Sequence, residues 1–382
     1  MKSSEILIQP VQNRAQLHRF VMFPFKLYKE DPHWVPPLIK ERMHHFDPQR
    51  NPFYEYASTQ FFLATRDDEV VGTIAAIDNP KHEQVWGENI GFWGEFECIN
   101  DYAVAEALFV AARDWLRAKG RDVMRGPTNL NINEEVGLLV GGEPGPPVLM
   151  MTYNPAYYLD FVERFGFKKA KDLLAFKIDL ALMGPNLENL PPQISGAAKI
   201  AENRYQVRMR HINPRRLEED VELAKPIYRK AWQKNWGALP MSDSEFDVLV
   251  ENLRTIANWN LTYLAFIEDE PVGVFIALPD FCQVAMHLGG RLLPFGWINY
   301  LRYKPRIDGL RVLIMGVLEE HRLKGVEALF YREGLQRAVE MGMKWAEMSW
   351  ILEDNFAMIR GIERVGGKEY RRYRMYDLGI GD

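Results

Sequence analysis

Residues 317–329 join an apolar run to a helical pattern through a turn that holds Arg322, Lys324 and Gly325. Free N–H groups at a helix start carry partial positive charge and receive phosphate oxygens, and a glycine lets the backbone approach them. Val317, Arg322, Lys324, Gly325 and Val326 therefore form a candidate anion-binding loop. His321 lies beside it, with an ordinary pKa near ~6.5. A second cluster places Asn129, Asn131, Asn133, Glu134 and Glu135 within seven residues. Amides and carboxylates so grouped can hold a polar head group, with Glu134 as general base. The same composition also builds Asx turns that satisfy their own backbone. Asn131, Asn133 and Tyr157 are the expected substrate contacts in this region. Tyr370, Tyr373 and Tyr376 alternate near the C-terminus, and Tyr373 is the chosen candidate proton donor. Alternation equally describes a half-buried strand.

Residues 290–306 interleave Leu292, Leu293, Phe295, Trp297, Ile298 and Leu301 with Arg291, Arg302, Lys304 and Arg306. That mixture suits a membrane interface or the mouth of an acyl-chain tunnel, and it also suits base stacking or a buried helix. Trp297 is a candidate substrate contact.

The elements that must position these groups come in two sets. Residues 60–65 and 70–77 read as a strand pair, 90–99 as a strand, 103–119 as a helix with apolar steps of three and four, and 122–127 as a short strand. Asn154 is expected to cap the next helix, and 173–178 closes the first set. The second set repeats the order: strands at 205–210, 261–267 and 271–278, a strand at 311–317, a helix at 326–340, a strand at 345–351, an Asn355-capped helix and a final strand at 369–378. Pro and Gly punctuation at 181–204 reads as a linker. The expected domains are 1–180 and 205–382, the second with an apolar insert at about 280–306.

The loop and the Asn355-capped helix together resemble the GNAT acyltransferase superfamily. Arg322 and Gly325 occupy the first two positions of its R-x-x-G-x-G/A segment, and Gly366 follows Asn355 at the spacing of its second motif. The first half resembles the family at 153–158 and 165–167. The order of elements extends the likeness over nearly the whole chain and is similar to two-copy, tandem GNAT proteins. The resemblance implies an α/β (α+β) fold of two tandem domains, each a mixed central sheet flanked by helices. It implies an N-acyltransferase that moves an acyl group from acyl-CoA to a small or lipid-like amine, and the apolar insert points to a medium or long acyl chain. Val317, Arg322, Lys324, Gly325, Val326 and Asn355 would hold acyl-CoA as substrate. Catalysis would fall to His321, Glu134 and Tyr373. Three departures stand out: Glu327 replaces the third glycine or alanine, Ile362 and Val162 stand where a tyrosine is frequent, and 100–105 lacks the basic, glycine-bearing loop. Two alternatives stay open: an aminoacyl-tRNA-dependent transferase of the tandem type, and a non-catalytic acyl-CoA or ligand-binding protein.

Other classes are disfavoured. Hydrophobic residues make up 47% and charged residues 26%, an ordinary globular composition. A formal net charge of −5 offers no global field for DNA and counts against tRNA. Two cysteines cannot build a disulfide framework, no metal-ligand spacing occurs, and no metal is expected. No apolar run approaches the roughly 18 residues of a membrane span. The N-terminus reads as a strand and not a signal peptide. The expected location is cytoplasmic, with peripheral contact at the inner membrane face through 290–306.

Overall fold

The computed structural model describes residues 5–381. In chain order it holds β1 (Leu7–Pro10), α1 (Arg14–Leu27), α2 (Ile39–His45), β2 (Ser58–Arg66), β3 (Glu69–Asp78), α3 (Pro80–Trp86), β4 (Ile90–Cys98), α4 (Tyr102–Ala118), β5 (Val123–Gly126), β6 (Leu138–Gly142), α5 (Tyr157–Phe165) and β7 (Lys168–Asp179). There follow α6 (Pro192–Asn203), β8 (Val207–His211), α7 (Leu217–Trp232), α8 (Asp243–Ile256), β9 (Thr262–Ile267), β10 (Glu270–Pro279), α9 (Cys282–Ala285), α10 (Gly296–Tyr303), β11 (Gly309–Val317), α11 (Val326–Glu340), β12 (Trp345–Leu352), α12 (Phe356–Arg364) and β13 (Lys368–Gly379). The doubled order expected from the sequence is present.

The chain divides into two units. Unit 1 holds residues up to Leu173, Val284–Arg302 and the chain from Arg371 on; unit 2 holds Leu174–Gln283 and Tyr303–Tyr370. β7 and β13 thus change unit midway, and most of the apolar insert folds with unit 1. The stretch read as a linker is largely regular: Leu180–Met183 form a 3-10 turn and Pro192–Asn203 form α6. Pro at the first turn starts α6, and the small residues Ala198 and Ala201 let it pack closely within the unit 2 core.

In unit 1 the strands run β1-β2-β3-β4-β5-β13, with β6 also on β13. β4 and β5 are parallel, the other pairs antiparallel. One face packs against α4, whose Val104, Leu108, Phe109, Ala112 and Leu116 recur at helical steps and are fully buried. The other face packs against Phe20, Val21 and Phe46 around α1 and α2. In unit 2 the order is β7-β12-β11-β10-β9-β8, with β11 and β12 parallel. Register between these two stops at Val312 opposite Met348, although β11 continues to Val317 along β10.

Candidate active site

The centre of unit 1 is a bulge in β4. Thr73 lies opposite Glu97 and Ala75 opposite Gly94, so Glu95 and Phe96 together face Ile74. Glu95 takes up the extra residue with φ +48°. The consequence is a change of face. Trp93, Phe96 and Cys98 remain in the α4 core, which leaves Glu95 and Glu97 on the side of α1 and α2. Two carboxylates therefore leave an apolar strand together.

Glu97 has two phenol donors on one oxygen. Tyr28 Oη donates to Oε2 at 2.6 Å and Tyr158 Oη at 2.8 Å. The Cys98 N–H donates to Tyr158 Oη at 2.6 Å and fixes that ring. Burial pushes the Glu97 carboxyl up to about 8, against the two phenol hydrogen bonds that favour its anion. Burial also holds Tyr28 and Tyr158 far above the ordinary tyrosine range, so both stay donors. An acid poised near neutrality, with its protonation partners fixed, is the group general base catalysis requires.

Glu95 forms an ion pair with Arg42 of α2. Burial raises its carboxyl, and Arg42 opposes the shift. Its Oε1 is buried with no hydrogen-bond partner. His45, one turn from Arg42, is pushed down to about 3 by burial and then by the Arg42 charge. It is neutral at physiological pH, and its Nε2 lies 3.3 Å from Glu134 Oε2. Tyr28 stacks on Trp34, which meets Phe25 edge-on, and Tyr153 packs edge-on against Tyr28. An aromatic wall thus borders the Glu97 carboxyl.

The Asn-rich loop reaches this region. Asn129 Oδ1 accepts from the Glu95 N–H at 3.0 Å, and its amide donates to Glu135 at 3.1 Å. Asn131 Oδ1 accepts from the Asn133 N–H at 3.0 Å, the Asx turn that the composition allows, and its amide donates to Tyr56 Oη at 3.3 Å. Tyr157 Oη donates to the Cys98 carbonyl at 2.7 Å. Glu134, Asn131, Asn133 and Tyr157 therefore lie in the same unit as Glu97. Trp297 lies on the insert, half exposed, and donates to the Pro294 carbonyl at 3.0 Å. Asn154 does not cap α5. Its amide pairs both ways with the Leu139 backbone, at 2.7 and 3.2 Å, and so extends the edge of β6. Ala156 stands at the cap.

The other expected residues are elsewhere. Tyr373 is fully buried in β13, opposite Leu139 of β6. His321 is buried in unit 2, with Lys324 Nζ 2.9 Å from Nδ1 and Glu270 3.5 Å from Nε2. Arg322 is exposed, and Val317 and Val326 are core residues. Gly325, at φ +84°, starts α11; a Cβ there would run into the Ala197 carbonyl of α6. Close packing of α6 thus accounts for this glycine without a phosphate. Glu327 accepts its own backbone N–H, and its carboxyl is raised chiefly by burial. A carboxyl group already occupies the N–H at the helix start. Asn355 caps α12, as expected, by accepting from Met358 N at 3.3 Å. The basic residues of β13 are engaged: Arg371 donates to the carbonyls of Glu143, Gly145 and Pro146, and Arg374 pairs with Asp172. Among the described residues no group of His, Cys, Asp and Glu is placed to hold a metal ion, and no helix is long and apolar enough to cross a membrane.

Sequence reasoning placed Tyr158 beside Tyr157 at this cleft and the segment ending at Tyr28 over a pocket, but missed Arg42, His45, Glu95 and Glu97. One signal was present: Glu95 and Glu97 interrupt the otherwise apolar run 90–99, where a buried strand gives no reason for charge.

No protein-family model matches the chain. It is 35% identical over 99% of its length to the protein named bacterial ceramide synthase of Caulobacter vibrioides, covering 98% of that protein. It is 34% identical over its full length to Protein YghO of Escherichia coli, covering 97%. The chain belongs to the family of these two proteins. Its fold is that of tandem GNAT proteins: a tandem GNAT protein from the clavulanic acid biosynthesis pathway matches 99% of both chains with a TM-score of 0.59 at 14% identity. The chain thus carries two copies of a GNAT-like core, each with one parallel strand pair, β4–β5 and β11–β12.

Proposed function

We propose that the chain is an N-acyltransferase that moves an acyl group from an acyl thioester to an amine, with its reaction centre at Glu97 in unit 1. The observation that carries this reading is the Glu97 carboxyl, poised near neutrality on a bulged strand of a GNAT core. The Glu97 carboxylate takes a proton from the ammonium form of the acceptor. The amine nitrogen then attacks the thioester carbonyl carbon; the C–N bond forms, the C–S bond breaks, and the Glu97 carboxyl returns its proton to the leaving thiolate. The regenerated carboxylate then takes the second proton from the nitrogen and passes it to bulk water, leaving a neutral amide and a thiol. Tyr28 and Tyr158 orient that carboxyl through their hydrogen bonds.

Acyl-CoA is the proposed donor class and a lipid-like amine the proposed acceptor. Two observations support an apolar donor chain: the aromatic wall beside Glu97 and the relative named a ceramide synthase, ceramide being an N-acylated sphingoid base. The start of α4 in unit 1 carries the Asp101 carboxylate as its cap, and the start of α11 in unit 2 carries Glu327. With a carboxyl group already accepting the N–H at each start, the acyl chain and thioester contribute more to donor affinity than the pyrophosphate. The test is amide formation from palmitoyl-CoA and sphinganine, read by mass spectrometry. Product formed by the native chain and lost in Glu97→Gln supports the reading. Undiminished product in Glu97→Gln overturns it.

A further inference from the structure

Large exposed apolar side chains are scattered over most of the molecule, with one exception. Leu292, Leu293, Phe295, Trp297, Ile298 and Leu301 are all exposed within ten residues, Leu293 and Phe295 at 73%. No residue of α10 is buried. Six adjacent apolar groups left in water are a cost with no return in the folding of the chain itself, and such patches mark contact surfaces.

The backbone holds the patch outward. The Trp297 N–H donates to the Leu292 carbonyl at 2.8 Å, and the Asn299 amide donates to the His287 carbonyl at 2.8 Å. The base is anchored by the Ile39 N–H on the Gly290 carbonyl at 2.9 Å. Gly290 has φ +74°, and a Cβ there would meet the Phe25 ring. Phe25 leads through Trp34 and Tyr28 to Glu97. The base of the patch thus lies against the aromatic wall of the reaction centre, inside one unit.

Charge decides the occupant. Within unit 1, residues 290–302 carry Arg291 and Arg302, both exposed, and no Asp or Glu, in a chain whose net charge is −5. A locally cationic, apolar, Trp-bearing face on an acidic protein complements an anionic lipid surface: apolar groups enter the acyl boundary and basic groups meet the phosphates. We infer that this face docks on the surface of an anionic phospholipid bilayer. The docked chain presents the Phe25–Trp34–Tyr28 wall toward the lipid, so that a bilayer-resident chain reaches Glu97 without crossing water.

The test is sedimentation of the full chain with vesicles of phosphatidylcholine alone, or of phosphatidylcholine and phosphatidylglycerol in equal parts. The chain is expected to bind the anionic vesicles, more weakly the neutral ones, and to be released by salt. Leu293→Ser, Phe295→Ser and Trp297→Ser combined should lower partitioning at least tenfold, about 1.4 kcal/mol. Arg291→Glu with Arg302→Glu should abolish the preference for anionic vesicles. These side chains are exposed, so melting temperatures should not fall; Phe295→Ser alone serves if the triple variant does. Glu97→Gln should bind as the native chain does, which separates this inference from the acyl-transfer reading. Absence of vesicle binding, or binding indifferent to all these changes, overturns it. A native chain that self-associates through this face and ignores vesicles overturns it in favour of a contact between copies.

Discussion

The two units share an order of elements and spend their buried charge differently. In unit 1 the strand before the long helix bulges and turns two glutamates toward a wall of phenols, an arginine and a neutral histidine. In unit 2 the corresponding β11 also bulges against β10, with Leu313 as the extra residue, but it is apolar from Val312 to Val317; its charges are the buried Arg311 before that run and those of the turn after it. There His321 and Lys324 face each other, and Glu327 lies on its own N–H. One copy holds a titrating group in a fixed frame; the other holds a loop whose polar atoms serve one another. On the proposed reading, a motif and a reaction centre are separable within one duplicated fold.

The comparison can be broken in several ways, beginning with the largest effect. Glu97→Gln should lower kcat by about 10²–10⁴-fold, while His321→Ala should leave it within about threefold. Steady-state amide formation measures both, and the reverse order would move the chemistry to unit 2. Arg42→Ala strands the Glu95 carboxylate in a buried position and should cost about 3–5 kcal/mol. Lys344→Ala in unit 2 removes an exposed partner of Asp308 and should cost about 0–1 kcal/mol. Denaturant titration reads the two. Gly325→Ala should cost about 1–3 kcal/mol through its positive φ and the Ala197 carbonyl, with donor affinity unchanged in the folded fraction. Tyr28→Phe removes one donor to the Glu97 anion and should raise the pH at which activity develops by up to about one unit. Arg322→Ala with Lys324→Ala should change the calorimetric Kd for acyl-CoA by less than about threefold. A loss beyond tenfold would restore the loop as the donor site.

Much of the fold was legible because its signals are local. The strand pairs at 60–77 and 261–278, the helix at 103–119 and the Asn355 cap each follow from short-range pattern, and all are present. The glycine-bearing turn was also legible, but its reason was not: whether Gly325 meets a phosphate or a helix depends on α6, more than a hundred residues earlier. Asn154 shows the same limit, since its partner is the Leu139 backbone and not the adjacent helix. The Glu97 environment joins Tyr28, Glu97 and Tyr158 from three separate elements. Its decisive feature, a one-residue bulge, leaves no periodicity to read. The alternating tyrosines show the opposite case: Tyr373 is core, as a half-buried strand requires.

The most direct test of a reaction centre at Glu97 is the pH dependence of kcat/KM. Burial raises this carboxyl, so the folded state favours its neutral form; that stabilisation is present at low pH and is lost as pH rises through about 8. The ionised base gains activity over the same interval. Measured with saturating donor for the native chain and for Glu97→Gln, kcat/KM should rise through an apparent pKa of about 8 in the native chain, and the variant should lack that limb. A limb in the ordinary carboxylate range, or one that persists in Glu97→Gln, would contradict the account.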